Sequence, residues 1–225
     1  MIHLENVSRT YAMKSGLVYA LKRITLTVDH GEFIAVMGPS GSGKSTLMNI
    51  VGCLDQPTSG RYSLENVDVS KLNDNDLAAI RNRKIGFVFQ NFNLLPRMSI
   101  LKNVELALLY AGFPRGARRE AAARAALESV GLAQRVSHRP WELSGGQQQR
   151  AAIARALATD PALLLADEPT GSLDSVTGNE IMKIFCELNK KGKTIVLVTH
   201  EHGMTRYVHR IVRLKDGTID TKGRF

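Results

Sequence analysis

The sequence predicts an α/β fold: a core of buried parallel strands, an antiparallel β-subdomain near the N-terminus, and an α-helical subdomain inserted into the core. Three observations carry this. Four short apolar runs, at 33–37, 85–89, 163–166 and 195–198, show no polar alternation, as strands covered on both faces do. Directly after the first run comes Gly38-Pro39-Ser40-Gly41-Ser42-Gly43-Lys44-Ser45-Thr46, which satisfies the phosphate-loop pattern G-x-x-x-x-G-K-[ST]. It opens a helical pattern in which Leu47, Ile50, Val51 and Leu54 share one face. Between the second and third runs, from about 99 to 160, the apolar period becomes that of helices.

Taken in order, residues 2–28 read as antiparallel strands. Ile2 and Leu4 alternate with polar neighbours, as do Ile24, Leu26 and Val28 around Thr25 and Thr27. Tyr11 and Tyr19 lie among them; a tyrosine upstream of a phosphate loop either stacks on an adenine ring or fills a half-buried sheet position. A further short strand is expected through Tyr62 and Leu64, then polar turns at Asn73-Asp74-Asn75-Asp76. The run ending at Phe89 leads to Gln90 and to Asn91-Phe92-Asn93-Leu94-Leu95-Pro96-Arg97-Met98. Apolar side chains on such a loop mark either a partner-contacting surface or core packing.

Leu101, Val104, Leu106 and Leu108 open the helical region, and the alanine-rich stretch 117–130 stops at Gly131. Its last helix begins at Ser144-Gly145-Gly146-Gln147, where Ser144 and Gln147 have capping-box spacing. The box leaves Gly145 and Gly146 unexplained, since glycine in a helix costs about 0.5–1 kcal/mol relative to alanine. Close approach of an anion to the helix start is the expected reason.

The third run ends in Asp167-Glu168, and Ser172-Leu173-Asp174 opens a helix through Ile181, Ile184 and Leu188 that Gly192 stops. The fourth run reaches Thr199-His200, and Asp216-Gly217 joins two short strand patterns as a hairpin. His200 sits at a strand end, toward the same edge as Gly38, Gln90 and Asp167; His3, His30, His138, His202 and His209 are read as surface.

At 225 residues, 44% hydrophobic and 23% charged, the chain suits one sizeable domain or a core with an inserted lobe. No apolar run approaches membrane-spanning length, and residues 1–5 show neither the basic nor the apolar part of a secretory signal. Cys53 and Cys186 fall in apolar helical patterns and read as small buried hydrophobes, so a cytosolic chain is expected. The net charge of +9 gathers at Arg115, Arg118, Arg119 and Arg124, and again at Arg135, His138 and Arg139. A solvated helix face, an anionic lipid surface and nucleic acid all suit such a face. Glu120, four residues before Arg124, favours the first, and no aromatic residues interleave with the arginines to stack bases.

The chemistry gathers at the strand ends. Glycines let backbone N–H groups curl round an anion, and the helix N-terminus adds partial positive charge. Lys44 then reaches the β- and γ-phosphates, and the Ser45 hydroxyl ligates Mg²⁺. Asp167 suits Mg²⁺ held through water, and Glu168 suits a proton acceptor for attacking water; helix capping is the alternative use of acidic residues there.

With these residues in view, the chain resembles an ATP-binding-cassette (ABC) transporter ATPase subunit along essentially its whole length. Leu143-Ser144-Gly145-Gly146-Gln147 matches the family signature, Gln90 the Q-loop, 163–167 the Walker B strand and Glu168 the catalytic glutamate. Asp174 matches the D-loop, His200 the switch histidine, and Tyr11, better than Tyr19, the adenine-stacking aromatic. The resemblance implies one ABC ATPase domain over 1–225: a P-loop NTPase core with the β-subdomain at 1–89 and 160–225, and a helical subdomain at 90–159.

It implies ATP and Mg²⁺ as cofactors. Tyr11, the residues of 38–46, Ser144, Gly145, Gly146, Gln147 and Asp174 would meet nucleotide; Ser45, Gln90 and Asp167 would hold Mg²⁺; Glu168, His200, Lys44 and Gln90 would serve catalysis. It implies a second copy of the chain, closed head to tail around two ATP molecules, with Ser144, Gly146 and Gln147 of one copy meeting the γ-phosphate held by the other. It also implies an integral membrane permease partner, no nucleic acid, and a cytoplasmic place on the inner face of the membrane through that permease.

The wording of 38–50, of Gly52-Cys53-Leu54-Asp55 and of 144–150 is similar to the macrolide-export and lipoprotein-release branch. An ABC ATPase that regulates a membrane complex mechanically, in the cell-division style, would carry the same motifs without moving solute. A cassette cut from a longer polypeptide with its own membrane domain is a further reading. A soluble ABC ATPase of DNA repair or translation would normally show tandem cassettes or a long coiled-coil insertion, and neither is present.

Overall fold

The alternating N-terminal residues form a long hairpin in the computed structural model, which describes residues 1–14 and 16–220. Strand β1 (Ile2–Met13) pairs antiparallel with β2 (Gly16–Val28), from Ile2 opposite Val28 to Met13 opposite Gly16. On its other edge β1 pairs with β4 (Ser59–Leu64), which turns into β5 (Val67–Asp68). One face of this sheet buries Ile2, Leu4, Val7, Leu21, Ile24, Leu26 and Val28 together with Tyr62 and Leu64. Alternation of period two places Ile2 with Leu4, and Ile24 with Leu26 and Val28, as expected from the sequence, while register shifts between Leu4 and Val7 and between Val7 and Arg9 interrupt it.

The chain packs as two compact units, one of Met1–Arg81 and Thr194–Phe225, the other of Asn82–Lys193. Ser15 and 221–225, which fall within the expected domain, lie outside the described residues.

In the first unit β3 (Phe33–Met37) runs parallel to β8 (Thr194–Val198) on one side and to β9 (Arg210–Lys215) on the other. Every side chain of β3 and β8 is buried, which is why both read as continuous apolar runs. The hairpin from β9 to β10 (Thr218–Ile219) turns through Asp216 (φ 49°) and Gly217 (φ 78°), the paired positive φ of a type I′ turn.

Helix α1 (Lys44–Val51) buries Leu47, Met48, Ile50 and Val51. It ends earlier than its apolar pattern suggests: Gly52 caps it, Cys53 turns left-handed at φ 53°, and Leu54 is 50% exposed. Cys53 is buried, as expected, but in a turn and not in a helix. Arg81 donates to its carbonyl at 2.5 Å, and burial pushes its thiol up to about 11.

A second correction concerns the polar turns expected at 73–76, where helix α2 (Asp74–Lys84) begins. Asn73 accepts from the Asp76 N–H at 3.0 Å as a cap, and Asp74 and Asp76 suit the helix dipole. Leu77 is the one residue of α2 that is buried, so no apolar period announced the helix.

In the second unit β6 (Ile85–Phe89) runs parallel to β7 (Leu163–Asp167). Phe87 and Phe89 are only half-buried and stack at 5.8 Å, so β6 is less fully covered than its sequence suggests. Helices α3 (Ile100–Tyr110), α4 (Ala117–Glu128) and α5 (Gly145–Leu157) pack on one another, and α5 also packs on β6. Gly86 permits that approach, since a β-carbon there would lie 2.5 Å from the Ala156 carbonyl oxygen. Helix α6 (Ser175–Lys190) buries Ile181, Met182 and Phe185.

The basic cluster on α4 is smaller than it reads in sequence. Arg119 is buried, and Arg124 pairs with Glu120 at 2.7 Å as the spacing suggests. Among the described residues no helix is long and apolar enough to cross a membrane.

Candidate nucleotide site

The first unit carries the phosphate loop between β3 and α1. Two of its glycines are required by contact. A β-carbon on Gly38 would lie 2.2 Å from the Leu214 carbonyl oxygen, and one on Gly43, itself at φ 104°, would lie 2.6 Å from that of Ala20. The loop is therefore pressed against β9 and β2 with no room for side chains on its inner side. Lys44 Nζ donates to the carbonyls of Gly38 and Pro39, each at 2.9 Å, which bends the ammonium back over the loop.

No side chain caps the first turn of α1, so its N–H groups and the helix dipole point at whatever the loop holds. Ser42 Oγ is buried and, among the described residues, has no hydrogen-bond partner. A cradle of backbone donors, an uncapped helix start and a close ammonium make a receptor for a polyphosphate.

A cleft of about 390 Å³ opens beside the loop, lined by Gly38, Pro39, His200, His202, Arg213 and Lys215 among others. His200 thus shares the edge of Gly38, as expected. His202 and the two cations were not singled out by sequence. His202 follows His200 by two residues, which was the available signal; Arg213 and Lys215 alternate along β9 and gave none.

Tyr11 is held firmly. Its hydroxyl donates to Asp55 Oδ2 at 2.8 Å, Arg9 pairs with Asp55 at 2.8 Å, and the Arg9 guanidinium sits 4.6 Å from the ring centroid. One ring face is thereby covered by a cation, and the ring cannot tilt freely. Tyr19 is 57% exposed. His209, read as surface, is exposed but also accepts from the Phe33 N–H at 3.2 Å.

In the second unit β7 ends at Asp167, and the next residue, Glu168, turns left-handed at φ 44°. A non-glycine residue there is strained, a state that persists where surrounding structure enforces it. The Gly171 N–H donates to the Glu168 carbonyl at 3.0 Å, and Ser172 Oγ donates to the Gln90 carbonyl at 3.0 Å. A β-carbon on Gly171 would lie 2.8 Å from Gln90 Nε2. Gln90 and the turn after Glu168 are therefore interlocked. The loop after Gln90 leaves Leu95 and Met98 exposed and Phe92 and Leu94 half-buried, so core packing does not account for all of its apolar residues.

The capping box at α5 forms as its spacing requires. Ser144 Oγ accepts from the Gln147 N–H at 3.4 Å, and the Ser144 N–H donates to Gln147 Oε1 at 3.1 Å. Gly146, expected to be there for an anion, has a packing reason within the chain: a β-carbon would lie 2.4 Å from Thr177 Cγ2. Asp174 is the N-cap of α6, accepting from the N–H groups of Val176 and Thr177, each at 3.0 Å. The Thr177 hydroxyl and N–H, with the Val176 N–H, hold the Asp174 carboxyl below its ordinary range. Ser144, Gly146, Gln147, Arg135, Arg150 and Thr177 line a hollow of about 390 Å³, which Gln90 and Glu168 do not reach.

Among the described residues no cluster of three or more His, Cys, Asp or Glu could hold a metal ion by itself.

The family model for ABC transporters matches residues 21–171. An uncharacterized ABC transporter ATP-binding protein of Bacillus subtilis, YknY, is 55% identical over 219 residues, 97% of this chain and 95% of its own length. The macrolide export ATP-binding/permease protein MacB of Chlorobaculum tepidum is 51% identical over 97% of this chain, which spans 33% of that relative. A dimeric structure of a post-hydrolysis state of the ATP-binding cassette MJ0796, bound to ADP and Pi, is similar at a TM-score of 0.88 and 49% identity, covering 98% of this chain and 97% of that one.

Proposed function

This chain belongs to the ABC transporter family, and from that premise we propose that it is the ATP-hydrolysing subunit of an export or lipoprotein-release transporter. Two copies close head to tail around two ATP molecules and drive an integral membrane permease from its cytoplasmic side. The observation that carries the reading is the cradle in which Gly38 and Gly43 press on the backbones of Leu214 and Ala20 while Lys44 bends over the loop.

The residues present fit a nucleotide. Gly38 and Gly43 keep side chains off the inner side of the loop, and among the described residues α1 offers N–H groups that no side chain caps and Ser42 a buried hydroxyl without a partner. Lys44 takes the β- and γ-phosphates, while Gly38, Pro39, Ser40, Gly41, Ser42, Gly43, Ser45 and Thr46 wrap them. Tyr11, with Arg9 over one face of its ring, is the residue proposed to stack on adenine. Ser45, Gln90 and Asp167 would hold Mg²⁺, which when bound would neutralise phosphate charge. Glu168 accepts a proton from the attacking water, and His200 holds that water and the γ-phosphate.

Ser144, Gly145, Gly146 and Gln147 of one copy, with Asp174 behind them, complete the site of the other. The dimeric MJ0796 structure supports this pairing, and the joint ATP-binding/permease name of MacB supports a permease partner. The division into a core and a helical insert at 90–159 is part of the same proposal, since that insert carries the signature.

Glu168→Gln tests the reading. The variant keeps ATP binding, stalls hydrolysis, and accumulates as an ATP-dependent dimer in size-exclusion chromatography. ATP-loaded protein that elutes only as monomer would refute the paired site.

A further inference from the structure

Gln149 lies on α5 two residues beyond Gln147, and it is fully buried. Around it α5 buries Ala151, Ala152, Ile153 and Ala154, so a long amide stands in an apolar helix face. A buried amide is costly unless its hydrogen bonds are made. Gln149 Nε2 donates to the Pro169 carbonyl at 2.8 Å and to the Phe89 carbonyl at 3.4 Å. Both neighbours are acceptors, which requires the nitrogen to face them and leaves Oε1 on the other side. Oε1 is buried without a donor among the described residues. The side chain therefore makes two bonds and leaves a third need unmet, a poor arrangement for stability alone.

What it binds is telling. Phe89 immediately precedes Gln90, and Pro169 immediately follows Glu168. Glu168 is the residue held at φ 44°, a conformation that must be enforced from outside. The Phe89 carbonyl has another donor, the Phe92 N–H at 3.2 Å, so the shorter bond to Pro169 is where Gln149 matters most.

We infer that Gln149 is a positioning residue for hydrolysis: from the signature helix its amide clamps the backbone beside Gln90 and Glu168 and sets where the Glu168 carboxylate stands. This rests on the role proposed above for Glu168. It also makes the helix that carries the signature a mechanical support of the hydrolytic residues in its own copy.

The test is steady-state ATP hydrolysis by Gln149→Met, which keeps length and shape but removes the donor. The loss of one positioning hydrogen bond is expected to lower kcat about tenfold while KM for ATP stays within about twofold. Gln149→His, whose neutral ring offers an N–H near the place of the amide nitrogen, recovers kcat relative to Gln149→Met, and this comparison holds even if both variants melt lower than the wild type.

A kcat within about twofold of the wild type in Gln149→Met, with Glu168→Gln inactive, overturns this inference and leaves the ATPase reading standing. Equal kcat losses in the Met and His variants, or a KM for ATP that rises as steeply as kcat falls, also overturn it. If Glu168→Gln itself turns over ATP at the wild-type rate, the catalytic reading of Glu168 fails, and this inference falls with it.

Discussion

The Thr177 hydroxyl donates to Asp174 Oδ2 at 2.6 Å while the methyl of the same side chain fills the space beside Gly146, 2.4 Å from where a β-carbon would stand. Threonine is stiff about χ1, so the bond to Asp174 fixes where the methyl points. One side chain thus ties the cap of α6 to the first turn of the signature helix.

A methyl group on Gly146 therefore needs a methyl group removed from Thr177. Gly146→Ala is expected to destabilise the fold by about 1–3 kcal/mol, the range for overpacking. Gly146→Ala combined with Thr177→Ser should regain most of that loss, since serine keeps the hydroxyl for Asp174 and drops the methyl. Urea unfolding of the two variants checks it; additive losses would mean the pair does not interact.

Asp174 makes the cap sensitive to acid. Its folded carboxyl lies below the ordinary value of 3.8 because the Thr177 hydroxyl, the Thr177 N–H and the Val176 N–H stabilise the charge. A lowered folded value gives stability that is present above the unfolded value and is lost as pH falls through the folded one. The wild type should lead Asp174→Asn in Tm near neutral pH, and the lead should shrink as pH falls below about 4. A lead that grows in acid would contradict the assignment.

The two thiols should differ in reactivity. Burial pushes the Cys53 thiol up to about 11, against the opposing charge of Arg81, while Cys186 is half-buried and its thiol is raised by burial less markedly. Since the thiolate is the reactive species, a disulfide reagent at about pH 8 should modify Cys186 slowly and leave Cys53 untouched until the protein unfolds. Rapid modification of both cysteines in the folded protein would contradict the buried turn.

Features that depend on local chemistry were legible in the sequence. The apolar run of β3, the phosphate loop, the Ser144–Gln147 box and the Asp216–Gly217 turn each rest on neighbours within a few residues, and each stands where expected. Helix α2 was missed because an exposed helix with one buried residue has no apolar period. The end of α1 was misjudged although Gly52 offered a visible stop.

Other features depend on distant partners. The packing reason for Gly146 lies at Thr177, the bonds of Gln149 reach Phe89 and Pro169, and the tether of Tyr11 is Asp55. No local pattern in the chain announces such contacts. For this reason the residues proposed to bind phosphate were legible in the sequence while their supports were not.

The central claim is that one copy holds only part of each hydrolytic site. It is tested most directly by the ATPase rate per subunit as protein is diluted at saturating ATP. The rate per subunit is expected to fall with dilution and approach zero, and Ser144→Arg should be inactive at every concentration while binding ATP nearly as well as the wild type. A rate per subunit that stays constant down to concentrations at which size exclusion shows only monomer would contradict it.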